Sequence, residues 1–221
     1  ETLNALLDML PDMFQHVVDA ASIVGAAVAS ARAALQGQGG RVLLFQSALC
    51  STGPGALPNR EHGNRNNSYG TSKECYLFSP QEQLAKYYED VARACAVDQV
   101  CVDLFACTNG FIDTATMGIL PNKTGGRVMF YEKFKSSNPA EANRLHTDIV
   151  RTVTGFTTFE TVLKLRVSSS MEIEQSYGNF CRRTQGDEVY YPNFDSINTT
   201  LFHLRFTYVF APFTPHTRMA W

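Results

Sequence analysis

Two cations separated by one residue on an extended stretch make a natural seat for a pair of carboxylates, and Leu163-Lys164-Leu165-Arg166-Val167 has that form. Successive strand residues point to opposite faces, so Lys164 and Arg166 share one side while Leu163, Leu165 and Val167 share the other. The two charges then stand about 7 Å apart, and each charge-assisted hydrogen bond to an acidic peptide contributes roughly 1.5–3 kcal/mol before desolvation. Lysine keeps the charge at the first position but lacks the planar fork of arginine, so it tolerates geometry better and selects less. On the pattern alone, a solvated strand edge with ordinary surface cations fits these residues better than a ligand site.

Groups for covalent or acid–base catalysis are not brought together by the sequence. His16, His62, His146, His203 and His216 are scattered, with neither a His-Glu-x-x-His pair nor a Gly-x-Ser-x-Gly elbow. Gly37-Gln38-Gly39-Gly40 follows a helical segment and precedes a strand, the reverse of the order a phosphate-cradling loop requires. Asp103 lies in an apolar run with no second carboxylate close in sequence, which favours a hydrogen-bonded core aspartate over a metal ligand or general base. Arg182-Arg183 reads as surface charge, because adjacent strand residues point apart.

The bulk chemistry narrows the class further. Among 221 residues, 19 Lys and Arg face 21 Asp and Glu, which leaves no electrostatic footprint for nucleic acid or for general attraction to anionic lipid. No apolar run approaches the roughly 18 residues needed to span a bilayer. Cys50, Cys75, Cys95, Cys101, Cys107 and Cys181 form no Cys-x-x-Cys pair and read as reduced core thiols of a cytosolic protein. In that compartment the glycosylation sequons at Asn66, Asn122 and Asn198 are silent.

The elements that must carry these residues are legible in outline. Leu3, Leu6, Leu7 and Leu10 line one helical face that Pro11 interrupts, and an Ala-rich helix is expected from about Ala20 to Gln36, with Gly37 as its left-handed cap. Arg41–Phe45 reads as a strand buried on both faces, the habit of a parallel sheet. Residues 51–73, rich in Gly, Asn and Pro, read as a surface loop or mobile insertion. Ser79-Pro80-Gln81-Glu82 has the form of a capping box opening a helix whose inward face is Leu84, Tyr88, Val91 and Cys95. A buried strand Val100–Ala106, a short helix Asp113–Leu120 and a third strand Arg127–Tyr131 follow. Asn138-Pro139-Ala140-Glu141 repeats the capping signature before a helix with Leu145, Ile149 and Val153 turned inward and Gly155 at its end. Beyond it the grammar is that of strands, as in the alternation Phe202, Leu204, Phe206, Tyr208, Phe210. An α/β part thus covers residues 1–155 and a β-rich part 156–221, and so few parallel strands are expected of a fragment of a longer polypeptide.

Several stretches together resemble one family, the inner-coat subunits of the COPII vesicle coat. Val102-Asp103-Leu104-Phe105, Phe111 through Thr116, Pro121 with Thr124-Gly125-Gly126, Gly55 through Glu61, Leu163 through Val167 and Tyr177-Gly178-Asn179-Phe180 are similar to its cargo-adaptor branch. Asp113–Thr116 favours that branch over the GTPase-activating one. The resemblance implies the C-terminal part of a von Willebrand A-like trunk domain, a mostly parallel sheet flanked by helices and incomplete here, followed by part of a β-sandwich. It implies no enzyme but a cargo-selecting subunit that carries proteins from the endoplasmic reticulum to the Golgi. Its partners would be the other inner-coat subunit, acidic sorting peptides and, through the coat, the small GTPase Sar. Its place would be the cytoplasm, peripheral on the endoplasmic reticulum membrane. Lys164 and Arg166 match a basic pair of the family's acidic-signal pocket, with Val189 or Tyr190 near an apolar contact of that pocket. The family's zinc belongs to a zinc-finger domain outside these residues, so no cofactor is expected here. The GTPase-activating subunit of the same coat and a cation-dependent von Willebrand A adhesion module are the rival readings, although the latter's Asp-x-Ser-x-Ser metal loop does not occur in the sequence.

Overall fold

A computed structural model describes residues 2–18, 21–60, 70–72, 74–182 and 188–206. Strands β1 (Gly40–Gln46), β2 (Val100–Thr108) and β3 (Val128–Glu132) form a parallel sheet in that order. Parallel neighbours need crossovers, which helices supply. The connections contain α3 (Cys75–Phe78) and α4 (Glu82–Val97) between β1 and β2, then α5 (Thr114–Met117) and α6 (Ile119–Thr124) between β2 and β3. The short helix expected over Asp113–Leu120 is therefore two, meeting at Gly118.

The central strand β2 is buried along nearly its whole length, as its apolar run predicts. Expected burial of β1 on both faces is corrected to half-burial: it pairs only with β2 among the described strands, and Phe45 stays 51% exposed while stacking on Phe105. The core gathers Val24 and Val28 of α2 (Val24–Leu35), Tyr88, Ala92 and Cys95 of α4, alternate residues of β2, and Met117 and Leu120. Each fully buried Val, Leu or Met among them contributes roughly 1.5–3 kcal/mol by leaving water. Leu84 and Val91 pack at its margin, so the face predicted for α4 is the one buried.

Other expectations change. The helix α1 (Thr2–Phe14) runs through Pro11, because its described residues are all exposed and water can take the one carbonyl that proline leaves free. Helix α2 starts at Val24, and Gly37 adopts a left-handed φ of 79° as expected. Ser79 caps no helix: its hydroxyl donates to Cys75 O, and α4 begins after Gln81 with no side-chain cap. The first part of the segment read as a mobile insertion is docked, with Leu57 buried, its amide bonded to Cys50 O at 2.7 Å, and Tyr88 Oη donating to Gly55 O at 2.8 Å. Residues 61–69 and 73 lie outside the described residues, as do Tyr208 and Phe210.

In α7 (Pro139–Thr154) the capping signature is realised: Asn138 Oδ1 accepts from Ala140 N at 3.1 Å and Glu141 accepts from Asn138 Nδ2 at 3.0 Å. Of the apolar row expected to face inward, Leu145 and Ile149 are half-buried but Val153 is not, and polar groups share that face. Thr152 is buried, Val153 is 64% exposed, and Tyr131 Oη donates to Asp148 at 2.7 Å. The remaining strands form two antiparallel ribbons, β4 (Thr157–Lys164) with β6 (Glu188–Asp195) and β5 (Met171–Tyr177) with β7 (Leu201–Phe206). Phe202 of β7 packs on the cluster of Phe180, Val189 and Tyr191, so the ribbons share a small core.

Candidate functional site

The ribbon β4–β6 is held at one end and open at the other. Thr157 pairs with Asp195 at the held end and Lys164 with Glu188 at the open end. Eight strand residues separate these ends by about 23 Å.

At the held end Arg41 of β1 enters a largely buried seam. Its Nη2 lies 2.9 Å from Asp195 Oδ2 and 3.1 Å from Asn193 Oδ1, and its Nη1 donates to Thr152 O at 3.0 Å. Arg41 Nε lies 3.2 Å from Asp103 Oδ2, close enough for charge attraction, but neither atom is aligned for a hydrogen bond. Asp103 Oδ1 instead accepts from Arg127 N at 2.9 Å, which makes it the hydrogen-bonded core aspartate expected from its setting. The Arg127 guanidinium reaches Asp195 at 3.5 Å.

The two carboxylates are not equivalent. Burial pushes the Asp103 carboxyl up, and the opposing pull of Arg41 and Arg127 does not cancel it. Burial also works against Asp195, but hydrogen bonds from Arg41 and Ile197 N and the arginine charges outweigh it, leaving its carboxyl below the ordinary value. Carboxamides reinforce the joint: Asn179 Nδ2 donates to Gly126 O at 2.7 Å and Asn198 Nδ2 to Gly125 O at 3.2 Å. Thr124-Gly125-Gly126 is thus more than a turn. Gly125 takes φ 82°, and a Cβ on Gly126 would stand 1.9 Å from Val102 O.

A second polar knot explains Phe111–Thr116. Asp113 caps α5 by accepting from Thr116 N at 3.0 Å, and its carboxylate lies 2.8 Å from Arg60 Nη2. Arg60 also donates to Tyr76 O and Ser79 O, so this motif clamps the docked loop to the helix that follows.

At the open end, Lys164 is the last residue of β4 and Arg166 lies just beyond it. Both are exposed and Leu165 and Val167 are half-buried. Leu163, expected on their packed side, is 38% exposed, and because the strand stops at Lys164 the two cations do not share the strand face expected of them. Lys164 Nζ meets Glu188 Oε1 at 2.6 Å, and the Lys164 hydrogen bond and charge hold the Glu188 carboxyl below its ordinary value. Arg166 makes no polar contact among the described residues. Val189, one residue past Glu188, points through the opposite face into the core with Phe180 and Tyr191 and is 2% exposed. The sequence reading missed Glu188, because only the register of two distant strands brings it to Lys164.

Burial pushes the Cys95 and Cys101 thiols up to about 11 and about 12, so they are not thiolates at neutral pH. All six cysteines are free. Among the described residues no three His, Cys, Asp or Glu side chains gather to hold a metal, and no helix is long and apolar enough to cross a membrane.

The described chain is a helix-flanked parallel sheet joined through a charged seam to two antiparallel ribbons. The Sec23/Sec24 trunk domain profile matches residues 1–153, and the chain belongs to that family. It is 37% identical over 187 residues to protein transport protein SEC24 C of Arabidopsis thaliana, covering 84% of this chain and 17% of that protein. It is 31% identical over 185 residues to protein transport protein Sec24A of Bos taurus, covering 83% of this chain and 16% of that protein. The human COPII-coat protein Sec24c shares the fold with a TM-score of 0.81 at 28% identity, over 91% of this chain and 26% of that one. The chain thus spans about a sixth of the length of the curated relatives it matches.

Proposed function

We propose that this chain is part of a cargo-selecting subunit of the COPII coat, working in transport from the endoplasmic reticulum to the Golgi without catalysing a reaction. The observation that carries the reading is its likeness, over most of its length, to SEC24 protein transport proteins and to the human COPII-coat protein Sec24c. In this reading residues 1–155 belong to the trunk, which docks on the other inner-coat subunit. Residues 156–221 belong to a β-sandwich, and the assembled coat sits with the small GTPase Sar on the cytosolic face of the membrane. Any zinc is held outside these residues.

Cargo is read at the open end of the β4–β6 ribbon. The exposed cations Lys164 and Arg166 receive an acidic sorting signal; Val189, expected as an apolar contact of the same pocket, is 2% exposed and lies beneath it instead of at its surface. The two exposed charges above half-buried Leu165 and Val167 support this assignment. The test is capture of the other inner-coat subunit and of acidic-signal peptides by the protein at its full native length. Recruitment of both is expected, and failure to recruit either would overturn the reading.

A further inference from the structure

We propose that the cleft between the end of α6 and the turn that follows β5 binds a phosphate monoester, held chiefly by Lys123 and Arg182. The site is separate from the cargo edge and does not rest on the coat reading. The cleft has a volume of about 440 Å³, and Asn122, Lys123, Gln175, Tyr177, Phe180 and Arg182 line it. That volume lies within the range of small-ligand sites. Among the described residues no Asp or Glu lines the cleft, and neither cation pairs with a carboxylate.

The lining offers donors whose directions are already set. Arg182, readable in the sequence only as surface charge, donates from Nη2 to Ser176 O at 2.9 Å and to Ser176 Oγ at 2.6 Å, and its guanidinium stands 5.8 Å from the centre of the Phe180 ring. Its Nε and Nη1 have no partner among the described residues. Tyr177 Oη donates to Gln175 Oε1 at 2.7 Å, so the Gln175 carboxamide keeps its N–H groups for a ligand. Lys123 lies in the last turn of α6, where free carbonyls would repel an anion. The carbonyls of Gly125 and Gly126 just beyond it instead accept from Asn198 and Asn179. The Asn179 bond, at 2.7 Å, also ties the segment after β5 to the end of α6, which fixes the two cations relative to each other. Two positive charges over-compensate one carboxylate but match a phosphate monoester, which carries about −1.5 to −2 at neutral pH and presents three acceptor oxygens.

The test is calorimetric titration of the full-length protein with methyl phosphate and with acetate. Methyl phosphate is expected to bind about tenfold tighter than acetate, and to weaken as salt rises. Lys123→Gln removes one charge, and Arg182→Lys keeps the charge but loses the fork; each is expected to weaken methyl phosphate roughly five- to tenfold. Arg93→Gln, which removes an exposed cation of α4, is expected to change nothing. Co-sedimentation with phosphatidylcholine vesicles that contain phosphatidic acid, whose headgroup is a phosphate monoester, separates the sources. Capture that Lys123→Gln abolishes assigns a lipid headgroup, and methyl phosphate binding without capture assigns a soluble phosphate; both uphold the site. Methyl phosphate no tighter than acetate, full affinity in both site variants, or an equal loss in Arg93→Gln overturns it.

Discussion

Arg41 and Asp195, 154 residues apart in sequence, meet at 2.9 Å, and this contact joins the first strand of the parallel sheet to the held end of the β4–β6 ribbon. Removal of Arg41 should leave Asp195 and the fully buried Asp103 with only the more distant charge of Arg127. Arg41→Ala is expected to destabilise the protein by about 3–5 kcal/mol, read as a lower urea midpoint with unchanged slope. Arg93→Ala, which breaks an exposed pair with Asp90, should stay within about 0.5 kcal/mol of the parent.

The two seam carboxylates predict opposite responses to acid. Asp195 lies below its ordinary value of 3.8, so the unfolded chain takes up that proton first. Its stabilisation is complete above that pH and is lost as pH falls through its depressed native value. Asp103 lies above the same ordinary value, so the native state takes the proton first and stability falls as pH rises from 3.8 through the raised value. Urea midpoints between about pH 2.5 and 6 should therefore show a shallower acid loss in Asp195→Asn. In Asp103→Asn the decline just above 3.8 should vanish.

Two glycines that look alike in sequence should behave differently. A methyl group on Gly126 would meet the Val102 carbonyl oxygen at 1.9 Å, a clash with backbone and not with the end of a flexible side chain. At Gly37 nothing lies within 4 Å and only the left-handed φ resists, at a cost of about 1–2 kcal/mol. Thermal unfolding should show a much larger loss for Gly126→Ala than for Gly37→Ala.

The capping signatures divide in the same way. Asn138→Ala removes a bond to Ala140 N and should cost about 1 kcal/mol. Ser79→Ala removes only an exposed bond to Cys75 O and should stay within about 0.5 kcal/mol in the same unfolding assay.

These contrasts show which parts of the fold were legible in the sequence. The helix face Leu84, Tyr88, Val91, Cys95 and the buried run from Val100 were readable because burial imposes a period on neighbouring residues. Asn138 and Glu141 were readable because a cap is satisfied within one turn. The seam was not, since Arg41, Asp103, Thr152, Asn193 and Asp195 are polar groups whose partners lie on separate elements. A buried aspartate in a β strand signals that some cation must come, but not which one. The place of Val153 in α7 was misread for the same reason: Thr152 and Asp148 take up inward positions because Arg41 and Tyr131 meet them there. At the cargo edge Lys164 and Arg166 were visible as a pair, whereas Glu188 became visible only with the strand register.

The most direct measurement is the affinity of an acidic sorting peptide for the full-length protein before and after Arg166→Asp, with the fold checked by circular dichroism. Loss of about ten- to a hundredfold is predicted, the equivalent of one charge-assisted hydrogen bond. Unchanged affinity in a folded variant would contradict the placement of cargo at this edge.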